Sequence, residues 1–363
     1  MSSQFEKFRS TLSEAQQELL DQVLEEETRQ KQREITSHME RDQKHLEIVN
    51  FCANFFESGQ PIPEKTGYYL TLVEPLYSLG VKNFDLGIFR FENSSLILVE
   101  CKSSILDFKE LMRDLKKAID TANEKKNDLE ELLGNRIVLP IEFALCLPAV
   151  DALDAHQETL KSNTPVCVWG ASQFEGRLKL FNNQQVTADE IGAGRLHRDG
   201  NLNSQLTRGV ESKSRAIRPI AILPSSHMCT LLVYVSELIY METRASKKSG
   251  DFVYSDVYAI LEKELRHMTS LSSTDFSRIT ENIFEVALRK GIFEDLTEDI
   301  SELKRKTFQV MGRKTSAEVV RRNVEGTYVD HNAKEKAKLT AITQYRVKTR
   351  TPDITSFDNS KTT

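Results

Sequence analysis

A chain of 363 residues is long for one compact domain and comfortable for two. Hydrophobic residues make up 39% and charged residues 28%, the balance of a soluble globular protein. No apolar stretch is long and uncharged enough to span a bilayer, and the opening MSSQFEKFRS lacks the apolar block of a secretory signal, so the expected location is the cytoplasm. The five cysteines, at 52, 101, 146, 167 and 229, are odd in number and without close pairs. That spacing argues against a disulfide framework and against zinc, and they read as small buried hydrophobes. The net charge of −5 does not advertise nucleic acid, but it is unevenly spread: residues 301–350 carry +8 and residues 1–300 carry −12. A basic end on an acidic body suits a polyanion contact, and suits a solvated helical tail equally well.

In chain order, residues 6–57 are rich in Glu, Gln, Leu, Lys and Arg and free of Pro and Gly, which predicts helix. Leu12, Leu19, Leu20, Val23 and Leu24 form a narrow apolar stripe; Leu46, Val49, Ala53 and Phe56 form a broader one. The expectation is an extended, acidic helical arm suited to homodimerisation, followed by a helix that packs on a core. SGQPIPEKTG breaks the helix. YYLTLVEPL, FDLGIFRF and SLILVECKS then read as strands, residues 107–133 as a helix closed by Gly134, IEFALCLPAV as a strand, DALDAHQETLKSN as a helix and PVCVWG as a strand. Residues 187–224 are rich in Gly, Asn and Arg without steady period and read as a linker or mobile loop. The last third reads as amphipathic helices plus a short basic strand pair in ISELKRKTFQVM. That order is compatible with a winged helix and, nearly as well, with a plain helical bundle.

The chemistry-bearing feature is Asp85 in NFDLGIFRF followed by Glu100 and Lys102 in VECKS. Side chains alternate along a strand, so Glu100 and Lys102 share one side. A strand apolar on both faces that ends abruptly in charge needs a partner or a metal to compensate it. Phosphodiester hydrolysis uses such groups: carboxylates hold a hard cation that acidifies water, and an ammonium stabilises the charged phosphorus. Glu100 and Lys102 also admit a plain structural ion pair.

Over roughly residues 40–170 this motif and element order resemble the PD-(D/E)xK nuclease superfamily, which includes restriction endonucleases, Holliday-junction resolvases and repair nucleases. Phe84 stands where the pattern's proline would be. The resemblance implies an α/β, restriction-endonuclease-like core, a mixed sheet flanked by helices. It implies catalysis by Asp85, Glu100 and Lys102 with Mg2+, which Mn2+ would replace. Glu74 is the first choice for a further metal-binding carboxylate, Glu47 the second, and Gln173 a weaker phosphate or water contact. The expected layout is a helical arm at 1–37, a nuclease core at 38–186, a linker at 187–224, a helical or winged-helix domain at 225–345 and a tail at 346–363. DNA is the expected partner, in defence against invaders or in repair, and the sequence does not separate DNA from RNA. Lys304, Arg305 and Lys306 would hold phosphates, supported by Arg313, Lys314, Arg321 and Arg322; Arg195, Arg198, Arg208 and Arg215 form a second basic set. A non-catalytic nucleic-acid-binding protein on a nuclease fold is the alternative.

Other candidates are weaker. His38 and His45 lie a heptad apart with no acidic or cysteine partner in the sequence, GAGRLHRDG lacks the Lys-Ser/Thr of a phosphate loop, and GIFEDLTEDI is too irregular for calcium. Trp169 and Phe174 read as core.

Overall fold

The computed structural model describes residues 4–80, 84–134, 140–182, 187–217, 223–245, 251–263, 273–297, 306–310 and 316–350. After a short helix, α1 (Gln4–Arg9), Ser13 and Gln16 form a capping box that opens α2 (Glu14–Asn54). With no Gly or Pro in 41 residues, α2 runs unbroken for about 60 Å, so the predicted arm and packing helix are one rod with no boundary at residue 37.

The segment around Pro61 and Pro63 forms α3 (Pro61–Thr66) and leads into β1 (Tyr68–Val73). Then come β2 (Leu86–Arg90), β3 (Ser95–Cys101), α4 (Phe108–Glu124), α5 (Lys126–Leu133), β4 (Glu142–Pro148), α6 (Ala149–Ser162) and β5 (Cys167–Phe174). The predicted order of strands and helices therefore holds. Asp107 caps α4 by accepting from the Lys109 and Glu110 backbone amides, and Gly134 closes α5 at φ +60°. The helix expected over 107–133 breaks at Lys125 into two.

The described residues of 187–224 are not a linker. They supply α7 (Ala188–Gly192), α8 (Gly200–Arg208) and β7 (Val210–Glu211), which follow β6 (Arg177–Phe181). Leu196, Leu202, Leu206 and Val210 are buried in the same core as Trp169. Those apolar residues are too widely spaced among Gly, Asn and Arg for a local period to reveal them.

The sheet runs in the order β1 to β7. β3, β4 and β5 are parallel, and the other pairings are antiparallel. Ile97, Val99 and Cys101 face α2 in one apolar layer. Leu96 and Leu98 face the other layer, built on Met112 and Leu115 of α4 and Ala152 and Ala155 of α6. The core is thus a seven-stranded mixed sheet between helical layers.

The C-terminal part forms α9 (Met228–Ala245), β8 (Asp251–Val253), α10 (Tyr254–Leu261), α11 (Ser273–Arg289), β9 (Phe293–Asp295), β10 (Thr307–Val310) and α12 (Ala317–Arg350). Its small antiparallel sheet has the order β8–β10–β9 around an aromatic core of Phe252, Phe284, Phe293 and Phe308. α12 then returns antiparallel along α2: Gln43 bonds Glu325, Gln32 bonds Asp330, Thr340 bonds Glu27 and Lys348 bonds Glu26. Leu20 and Val23, predicted as a dimer seam, are buried against Ala341 and Tyr345 of the same chain. That part of the stripe meant for a partner chain is filled from within, while Leu19 stays 37% exposed.

Candidate functional site

Three buried acids lie beside α2, with Asp85 acting on both Glu100 and Glu74 although the three carboxylates do not lie as close together as the ligands of one ion. Asp85, Glu100 and Glu74 are 7%, 6% and 6% exposed, a degree of burial that carboxylates accept only with hydrogen-bond partners. Asp85, immediately before β2, and Glu100, on the neighbouring β3, are locked by backbone amides. Asp85 Oδ2 accepts from Cys101 N at 2.6 Å, and Glu100 Oε2 accepts from Phe84 N at 2.6 Å. The Lys102 ammonium donates to Glu100 Oε1. Burial and then the Asp85 charge push the Glu100 carboxyl above the usual range, with Lys102 opposing them. Burial alone would lower Lys102, but Glu100 and Asp85 outweigh it and hold the lysine protonated.

Phe84 has φ +68°, a left-handed conformation costly for an aromatic residue. A proline here could neither adopt that φ nor offer the amide that binds Glu100. Glu74 also lies at positive φ, +44°, and its amide donates to the Asp85 carbonyl at 2.8 Å. Its carboxylate is held by Ser225, whose amide donates at 2.9 Å and whose hydroxyl donates as well. Burial, the largest influence, and Asp85 raise the Glu74 carboxyl, while Ser225 lowers it.

His45 completes the group, with Nε2 3.0 Å from Asp85 Oδ1. Burial works to lower this imidazole, and the hydrogen bond and charge of Asp85 outweigh it, leaving the residue above its ordinary pKa. The sequence held a signal for it. His45 continues the stripe of Val49, Cys52 and Phe56 at spacings of four, three and four, so a polar ring sits on an apolar face. Its acid partner is 40 residues away and invisible to local pattern. His38 is exposed and bonds Arg41 instead.

The remaining candidates separate. Glu47 is exposed on α2 and Gln173 is exposed at the end of β5. Trp169 is buried and stacks on Phe56 at 5.5 Å, as expected, whereas Phe174 is 72% exposed at the β5–β6 hairpin, against the core reading. Arg195 is paired through two bonds with Glu190, and the Arg198 amide binds Glu142 at the start of β4, the opposite end of the parallel strands from Glu100. Lys306 is paired with Asp295, Arg321 with Glu237 and Arg322 with Glu318. Of the seven described residues in these basic sets, Arg195, Lys306, Arg321 and Arg322 have acidic partners, whereas Arg198, Arg208 and Arg215 are exposed. Lys304, Arg305, Arg313 and Lys314 lie outside the described residues.

All five cysteines are free and buried, as the sequence reading expected, and three of them also cluster. Cys52 from α2, Cys101 from β3 and Cys146 from β4 bring their sulfurs within 4.8 Å of one another, fully buried. Sequence distance concealed this, because the three are separated by about 50 residues each.

Among the described residues no helix is long and apolar enough to cross a membrane. Comparison of the chain with protein-family models, with curated proteins and with solved structures returns no match.

Proposed function

We propose that this chain is a metal-dependent nuclease with a restriction-endonuclease-like core, hydrolysing phosphodiester bonds in DNA. The observation that carries the reading is the convergence of Asp85, Glu100 and Lys102 at one buried strand end, with two acids repelling each other and a protonated lysine beside them. Asp85 and Glu100 are hard oxygen donors at neighbouring strand ends, and a divalent cation relieves their mutual repulsion, so the donor set fits Mg2+ or Mn2+. Asp85, Glu100 and, as a third carboxylate, Glu74 would hold the ion. Once bound, such an ion neutralises phosphate charge and acidifies water.

The chain's own groups divide the remaining work. Lys102, whose ammonium is favoured by Glu100 and Asp85, would stabilise negative charge on the phosphorus centre or orient the attacking water. The Cys101 and Phe84 amides fix the two carboxylates, and Ser225 fixes Glu74. His45 bonds one oxygen of Asp85 and would compete with a cation for it. The C-terminal order α9–β8–α10–α11–β9–β10, with its β8–β10–β9 sheet, is the arrangement of a winged helix, which suits a DNA-holding unit. A cutting core joined to such a unit fits defence against invading DNA, and repair or junction resolution nearly as well.

One observation favours a second reading. Each of these carboxylates already has protein partners on both oxygens, as a non-catalytic scaffold would require. The deciding experiment incubates supercoiled, linear, branched and single-stranded DNA, with RNA as control, in Mg2+, Mn2+ or EDTA. Nicking that needs the divalent ion supports the nuclease. Binding without cleavage of any substrate in either metal overturns it in favour of the scaffold.

A further inference from the structure

We propose that Cys52, Cys101 and Cys146 form a three-thiolate site for a soft divalent d10 cation of the zinc group, separate from the carboxylate site and not dependent on the nuclease reading. The three residues come from three elements that the fold holds rigidly. Cys101 and Cys146 stand directly opposite each other in the parallel β3–β4 register, both facing α2, and Cys52 descends on them from that helix. Their sulfurs lie within 4.8 Å of one another. Three thiolates at about 2.3 Å from one ion in a trigonal plane are about 4 Å apart, so capture needs a contraction of less than about 1 Å. Three of the chain's five cysteines meet at this one point.

The donor chemistry sets the class of ion. Thiolates are soft and favour zinc-group and copper ions over Mg2+. On binding, three thiols release three protons to solvent and three S–M bonds form, with no redox step. A divalent ion leaves one net negative charge and a monovalent ion two. In an apolar surround of Val49, Val99, Ala144 and Trp169 the smaller charge is far less costly. The ion would also fasten the strand end, because the Cys101 amide holds Asp85 Oδ2.

The test titrates reduced, full-length protein with Cd2+ under anaerobic conditions and reads thiolate-to-metal absorption in the ultraviolet and the X-ray absorption spectrum of the loaded wild type. The expected result is one Cd2+ per chain with three sulfur neighbours, bound more tightly than Zn2+ and displacing it in competition. Affinity should fall roughly tenfold or more in Cys52→Ser and Cys146→Ser, and stay unchanged in Cys167→Ser and Cys229→Ser. Absence of the thiolate band at excess Cd2+, a band that survives in a folded Cys52→Ser protein, or an oxygen-only coordination shell would each overturn the proposal. The wild-type spectrum decides the matter even if the serine variants do not fold.

Discussion

Phe84 combines an unfavourable φ with an amide that Glu100 needs, so the residue before Asp85 is fixed by backbone rather than by side chain. Phe84→Pro should lose both features at once and lower the melting temperature; an unchanged melting temperature would show that the left-handed turn is not required. Asp85→Asn and Glu100→Gln keep most acceptor geometry while removing charge. Under the proposed function each should abolish cleavage with the circular dichroism spectrum preserved, and a cleaving variant under Mg2+ would remove that residue from the site. Lys102→Ala should slow cleavage by about 10²–10⁴-fold if its charge acts on the phosphorus. A structural pair would instead lower thermal stability and leave the rate per folded molecule intact. His45 has a folded pKa above its unfolded value, near 6.5. Its pairing with Asp85 therefore stabilises fully below that unfolded value and fades as pH rises through the raised one. His45→Asn should flatten this part of the stability–pH curve, and denaturant titrations at several pH values will show whether it does.

Among the elements, α2 does the most varied work. Its N-terminal part pairs with α12, Ile35 and Met39 join the core of the C-terminal part, and Ile48 through Phe56 cover the sheet. One helix thus ties both cores together, which is why its mean pattern is weakly amphipathic: different faces are buried along its length. Leu20 is fully buried between α2 and α12. Leu20→Ala should cost about 2–5 kcal/mol of stability, as for a large-to-small change in a packed core. Denaturant unfolding measures this, and light scattering should report the same oligomeric state before and after. A change of oligomeric state with unaltered unfolding would restore the dimer seam and displace the intrachain pairing.

At the scale of the whole molecule, charge is paired internally more than the sequence suggests. Lys306, Arg195, Arg321 and Arg322 have acidic partners, whereas Arg198, Arg208 and Arg215 are exposed. If the protein binds duplex DNA, neutralising Lys306 alone should leave the salt dependence of binding nearly unchanged. Neutralising Arg198, Arg208 and Arg215 together should reduce the log–log slope by about 0.9 for each DNA phosphate that the three arginines neutralise in the wild type. Binding titrations across a range of salt distinguish the two variants, and equal slopes would place the DNA elsewhere, with the residues near 304 as the remaining basic group.

The sequence by itself determined five of the seven strands of the central sheet, β1 to β5, and missed β6 and β7. The apolar runs of β2, β3, β4 and β5, the Gly and Pro breaks and the charged end of VECKS are all local signals, and local signals survive in one dimension. The approach of Asp85 to Glu100 also followed, because strand alternation and hairpin connection are short-range rules. Only the tertiary structure decided what meets across the chain. His45 reaches Asp85, Ser225 holds Glu74 from 151 residues away, and α12 covers the stripe of α2. Residues 187–224 supply β7 and buried leucines despite their loop-like composition, and Cys52, Cys101 and Cys146 converge from a helix and two strands. These contacts depend on which faces pack together, a property of the folded layers that no window of neighbouring residues contains.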